Sequence, residues 1–176
     1  MKKCYFLIGL PGVGKSTITE QIIKEEKNAV YLSTDYFLEE IAKDKNISYN
    51  KAWKDYGKDA EKRFTALLKS SMNKGDTLIW DQTNVVKSAR IKKLKPLIEK
   101  GYVIIGLTFE IPEEEWQKRI EKREKEGGKV IPKFVINNMK KTYERPDYSE
   151  GFAEIFIINE KSELTLLPTV ENKHKI

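Results

Sequence analysis

The nine residues Gly9–Thr17 read GLPGVGKST and follow directly on the apolar run Cys4–Ile8, CYFLI. A short apolar run bounded by glycine predicts a buried strand, and in the following segment, 15–27, Ile18, Ile22 and Ile23 recur at helical spacing. Gly9, Gly14, Lys15 and Ser16 match the spacing G-x-x-x-x-G-K-S in the context it needs, strand then loop then helix. Glycines let successive backbone N–H groups curl around phosphate oxygens, and the helix N-terminus turns its partial positive charge on the same anion. Lys15 is placed to reach the β- and γ-phosphates of a nucleoside triphosphate and Ser16 to ligate Mg²⁺. Pro11, Gly12, Val13 and Thr17 complete the cradle. The alternative is a glycine turn without a ligand; motif and context together weigh against it.

Outward from the loop, apolar runs alternate with helical periodicity. Residues 3–9, 29–33, 76–81, 102–110 and 153–159 read as strands, with a short sixth at 163–168. Residues 15–27, 36–45, 59–73, 86–100, 113–125 and 132–144 read as helices, the last with Pro132 near its first turn. This alternation predicts an α/β fold in one domain, 1–176: a parallel sheet of about five strands with helices on both faces. Active sites of such sheets lie beyond the carboxyl ends of the strands, where Gly9, Asp35, Asp81 and Glu110 fall. Residues 127–132, GGKVIP, read as a break, and 169–176 as a tail.

Composition removes several chemistries. One cysteine, Cys4, and one histidine, His174, allow no intramolecular disulfide and no zinc site. They also leave Cys–His and Ser–His nucleophilic catalysis without its parts. The start MKKCYFLIGL imitates a leader, but Pro11 and Gly12 interrupt it and no small-residue cleavage site follows. No segment approaches a membrane span, so the expectation is a cytoplasmic protein with no membrane partner. The net charge of +6 concentrates in two blocks. Residues 117–145 carry ten Lys/Arg against four Glu, and 85–100 six against one. These blocks face either a polyanion or plain solvent. The run Asn73–Asp76, NKGD, resembles a guanine-reading motif, but it precedes a strand instead of following one and reads as a helix stop.

Three further groups surround the loop. Asp35, just past the second strand, could orient an acceptor hydroxyl and take its proton, or it (or Thr34) could cap the next helix. Asp81, Thr83 and Asn84 end the third strand in WDQTN. Asp81 could support the Mg²⁺ shell, and Thr83 and Asn84 could hold an incoming phosphate or form an Asx-type turn. Arg119 and Arg123 stand at i, i+4 before the glycines, as a lid over 113–132 that closes on phosphates or as a salt-bridged exposed helix. Tyr49, Trp53 and Tyr56 form a helical stripe with Lys51, Lys54 and Lys58 interleaved, either a base-stacking face or core.

In order, the pieces GLPGVGKST, LSTDYF, WDQTN, RIEKR followed by VIP, and YERPDYSEGFAEI resemble the kinase module of the polynucleotide 5′-hydroxyl kinase family, from about Lys3 to Ile158. The resemblance implies a P-loop kinase-type three-layer sandwich that uses ATP and Mg²⁺. It implies transfer of the γ-phosphate to the 5′-OH end of DNA or RNA, with no obligate protein partner. It makes Asp35 the general base and Lys15 and Ser16 the phosphate and metal contacts. Arg123 would be the main lid arginine with Arg119 beside it, and Thr83 would lie on the acceptor's phosphate. Phage and bacterial members often carry an arginine three residues after the aspartate; here that position is Leu38.

Overall fold

The chain runs β1 (Lys3–Ile8), α1 (Lys15–Glu25), β2 (Val30–Leu32), α2 (Thr34–Asp44), α3 (Tyr49–Lys74), β3 (Leu78–Asp81), α4 (Lys87–Glu99) and β4 (Val103–Phe109). It continues through α5 (Glu113–Lys125), α6 (Lys133–Thr142), a 3-10 turn (Tyr148–Glu150), β5 (Glu154–Ile158) and β6 (Leu164–Leu166). These elements come from a computed structural model that describes residues 1–125 and 130–169. The glycines of the expected break and the tail from 170, His174 included, lie outside the described residues.

The strands form one sheet in the order β2-β3-β1-β4-β5-β6. β2, β3, β1, β4 and β5 pair in parallel, and β6 lies antiparallel on β5 at the edge. The turn between β5 and β6 is too short for a crossover, so the sixth strand can only fold back as a hairpin. Asn159 builds that turn, its Oδ1 accepting from the N–H groups of Lys161 at 3.0 Å and Glu163 at 2.9 Å.

Both faces are covered. On one, Phe64 and Met72 of α3 and Leu94 and Leu97 of α4 pack against Phe6, Leu32, Leu78, Trp80 and Ile104. On the other, Ile18 and Ile22 of α1, Trp116 of α5 and Ile136 of α6 pack against Leu7, Ile79, Leu107 and Phe109. Strands buried on both faces account for the unbroken apolar runs in the sequence. No helix among the described residues is long and apolar enough to cross a membrane.

α3 starts ten residues earlier than the sequence predicts. Ser48 caps it, its Oγ accepting from Lys51 N–H at 3.2 Å. The first turns are polar and include Gly57, which hides their helical character; what fixes them is a cluster of Leu38, Ile41, Ala52 and Ala60 that zips α2 to α3. The aromatic stripe divides: Tyr49 and Tyr56 pack on that cluster, whereas Trp53 is 55% exposed. Gly75, at φ 77°, ends α3, as the helix-stop reading of NKGD requires.

A buried ion pair secures the start of α4. Arg90 and Glu150 are both fully enclosed. Arg90 Nε and Nη2 donate to Glu150 Oε2 and Oε1 at 2.6 and 2.7 Å, and Nη1 donates to the carbonyls of Asn84 and Val85 at 3.0 and 3.1 Å. The 3-10 turn is thereby tied to the loop that follows β3.

Candidate active site

The phosphate loop leaves β1 at Gly9, whose N–H donates to the carbonyl of Thr83 at 2.9 Å and so joins the ends of β1 and β3. Gly12 and Gly14 have φ of 81° and 107°, in the left-handed region that disfavours side chains. A Cβ on Gly12 would stand 2.7 Å from Ile120 Cδ1, so the loop packs directly on α5 there. Gly14 starts α1. Lys15 Nζ donates to the carbonyls of Gly9 and Leu10, both at 3.0 Å, folding over the loop it closes. Ser16 and Thr17 are exposed at the helix N-terminus.

α5 is clamped to this loop. Trp116, 5% exposed, donates from Nε1 to the carbonyl of Pro11 at 2.8 Å. The ammonium of Lys140 on α6 lies 4.1 Å from the centre of the Trp116 ring and pairs with Glu113. Arg119 Nη1 donates to the carbonyl of Val13 at 3.2 Å, Nη2 to that of Glu160 at 2.6 Å, and Nε to Glu115 at 2.9 Å. Arg119 therefore makes both the i−4 ion pair and the approach to the loop that the sequence offered as alternatives. One turn on stands Arg123, whose charge is the smallest of the influences on the Tyr49 phenol at the start of α3 and is outweighed by the others.

Asp35 is exposed in the first turn of α2. Capping falls to Ser33, whose Oγ accepts from Tyr36 N–H at 3.3 Å, and not to Asp35 or Thr34. Tyr49 Oη donates to Asp35 Oδ1 at 2.5 Å. Burial, and then this bond, push the Tyr49 pKa far up, so the phenol keeps its proton as a donor.

Asp81 ends β3, and its Oδ2 accepts from Tyr31 Oη at 2.8 Å. Burial first, and then the Asp81 charge, raise the pKa of Tyr31. Among the described residues no group of three or more His, Cys, Asp or Glu could hold a metal. Ser16 and Asp81 supply one hydroxyl and one carboxylate, a set that fits Mg²⁺ held mainly by phosphate oxygens and water.

Asn84, 4% exposed, has φ 48°. Its Nδ2 donates to the carbonyls of Leu7 at 2.8 Å and Gln82 at 3.3 Å, and its Oδ1 accepts from Lys93 at 2.7 Å. Both ends of its amide are thus engaged inside the fold, bracing the loop that carries Thr83. Sequence reasoning passed over Gln82, Lys93 and Trp116 as site residues, and offered Tyr49 only as part of a base-stacking stripe, not as the partner of Asp35. Gln82 Oε1 accepts from Trp80 Nε1 at 3.0 Å and Lys93 Nζ at 2.7 Å, while Nε2 donates to Thr34 Oγ1 at 2.9 Å. Its place in WDQTN at a strand's carboxyl end was the available signal; Trp116, 105 residues from its partner Pro11, offered none.

Three solved structures share the fold. A candidate kinase from Chloroflexus aurantiacus superposes with a TM-score of 0.68 at 16% identity, covering 89% of this chain and 84% of that one. A chain from the PezAT chromosomal toxin–antitoxin system of Streptococcus pneumoniae gives 0.63 at 21% identity, covering 94% and 70%. A fungal RNA kinase gives 0.56 at 14% identity, covering 90% and 73%. Residues 5–146, well over half of the chain, match the AAA domain family, and the protein belongs to that family of P-loop proteins.

Proposed function

We propose that the protein is an ATP-dependent kinase that transfers the γ-phosphate of ATP to the 5′-hydroxyl end of a polynucleotide. The observation that carries this reading is the 2.5 Å hydrogen bond from Tyr49 to Asp35. A carboxylate oriented by a phenol just past the carboxyl end of β2 is what transfer to an alcohol needs. Lys15 turns from the loop carbonyls to the β- and γ-phosphates. Arg123 neutralises charge as transfer proceeds, and Arg119 holds the nucleotide cradle beside it. Asp35 orients the acceptor hydroxyl and accepts its proton as the oxygen attacks phosphorus in line, ADP leaving on the far side. Ser16 and Asp81 would hold Mg²⁺, which would supply neutralisation of the phosphate charge. Thr83 faces the acceptor. The basic blocks at 85–100 and 117–145 and the fold shared with an RNA kinase support a nucleic-acid acceptor.

One observation favours a second reading, a kinase for a small hydroxylated molecule. Leu38 is fully buried between α2 and α3, so the arginine that grips the acceptor in many polynucleotide kinases has no counterpart there.

The test is γ-labelled ATP offered with a 5′-OH oligonucleotide, a nucleoside and sugar panel, and water. The expected result is label on the oligonucleotide, reduced about 10²–10⁴-fold in Asp35→Asn with ATP binding retained. Label only on small acceptors selects the second reading, and ATP binding without transfer to any acceptor overturns both.

A further inference from the structure

We propose that Lys93 is an acceptor-side anion site: its ammonium binds a phosphate group carried by the acceptor, the contact that position 38 does not supply. The inference rests on the kinase reading above and names the class of acceptor that the same cleft takes, a hydroxyl compound bearing a phosphate mono- or diester.

Position 38 is closed to this role by packing, because α2 spends that face on Ala52 and Ala60 of α3. Lys93 approaches from the other side. It rises from α4 to the carboxyl end of β3, where Nζ donates to Gln82 Oε1 and Asn84 Oδ1, both at 2.7 Å. It lies 5.8 Å from the centre of the Trp80 ring. All three partners are neutral. Of the other basic side chains of α4, Lys87 pairs with Asp147, Arg90 with Glu150 and Lys95 with Glu99. Among the described residues no carboxylate lies within ion-pair distance of Lys93.

An ammonium has three N–H donors, and two of these go to amide oxygens. Burial without a counter-charge lowers the Lys93 pKa to about 8, the response of a cation held where its charge is poorly compensated. The residue is only partly covered, and on this proposal the third donor is the one that meets the anion. An anion there would supply the missing charge. The place also fits the chemistry. Gln82, which holds Lys93, donates to Thr34 at 2.9 Å, and Thr34 precedes Asp35 in the chain. Thr83 lies between the two residues whose amides hold the ammonium. A phosphate on Lys93 would therefore sit one hydrogen-bonded residue from the carboxylate that meets the attacking hydroxyl.

The experiment compares wild type, Lys93→Met, Lys93→Gln and Lys93→Arg on nucleoside 3′-monophosphates and the matching nucleosides, with γ-labelled ATP. Wild type is expected to prefer the phosphorylated acceptor at least tenfold in kcat/KM. Met and Gln are expected to collapse that ratio tenfold or more, and Arg to restore part of it. Equal losses on both acceptors would make Lys93 a brace for the loop and overturn the proposal, as would a wild-type enzyme indifferent to the 3′-phosphate. A second readout stands apart from transfer. With the phosphate loop filled by a non-hydrolysable ATP analogue, inorganic phosphate should raise the melting temperature of wild type and not of Lys93→Gln. Equal shifts in both would sink the inference whatever the acceptor proves to be. A shift confined to wild type, with no transfer to nucleosides or polynucleotides, would keep Lys93 as an anion site and overturn the polynucleotide reading alone.

Discussion

Tyr49 and Asp35 stand 14 residues apart and meet because the α2–α3 turn is tight. Asn46, at φ 50°, breaks α2, and Ile47 N–H returns to the carbonyl of Ala42 at 2.9 Å, so α3 doubles back beside α2. The phenol then lies on the carboxylate at 2.5 Å, and its raised pKa keeps it a donor across the physiological range. On the proposed mechanism its work is to fix the orientation of the Asp35 carboxylate. Tyr49→Phe is expected to lower kcat about tenfold, roughly 1.4 kcal/mol in the barrier, with ATP KM little changed. Removing this hydroxyl from the folded protein costs about 1 kcal/mol. In an Asp35→Asn background the same substitution should lower kcat no further, because the oxygen it orients is no longer a base. Fully additive losses in steady-state kinetics would refute the pairing. Asp35, Asp81 and Gly9 were legible in the sequence because strand ends are legible and the carboxyl edge of a parallel sheet is where ligands go. Tyr49 was not, since its role depends on a turn whose apolar signal, Leu38 and Ile41 against Ala52 and Ala60, crosses between two helices.

At the scale of elements, the loop after β3 is held from below by α4. Arg90 binds the carbonyls of Asn84 and Val85 with one edge of its guanidinium and Glu150 with the other. Glu150 in turn caps the 3-10 turn with Asp147, whose N–H donates to Glu150 Oε1 at 3.1 Å. Breaking such a pair strands a buried charge. Glu150→Gln or Arg90→Met alone is expected to cost about 3–5 kcal/mol in urea denaturation, whereas Arg90→Met with Glu150→Leu should recover much of it, since neither charge is then left unpaired. A double variant as unstable as the singles would show that the carbonyl contacts, and not the ion pair, carry the stability. No sequence pattern flags this knot, because its partners lie 60 residues apart and a lone Arg and Glu carry no periodicity. The helices were readable where Ile, Leu and Phe recur every third or fourth residue, as in Phe64, Leu67 and Leu68. They were unreadable where Ala52 and Gly57 leave the pattern thin, and there packing decides what propensity does not.

Across the whole molecule, the two arginines of α5 are set to different tasks by where the helix is fixed. Trp116 on Pro11, Ile120 against Gly12 and Arg119 on Val13 attach the first turns of α5 to the loop, and Lys140 of α6 locks them from behind. Arg119 also reaches the carbonyl of Glu160, joining the loop to the β5–β6 turn. Arg123 lies one turn past these anchors. Arg119 thus belongs to the shape of the nucleotide cradle in the ground state. On the proposed mechanism Arg123 serves the transfer step and should matter most when charge develops between donor and acceptor. Arg119→Ala is expected to raise the ATP KM about tenfold with kcat lowered less. Arg123→Ala should lower kcat about 10²–10³-fold with ATP affinity changed no more than about threefold, the signature of a contact that strengthens in the transition state. Isothermal titration with an ATP analogue, beside initial rates at saturating ATP, separates the two. If Arg123→Ala instead weakens ATP binding as much as it slows turnover, the arginine holds the nucleotide, and the cleft closes by some other means than the far end of α5.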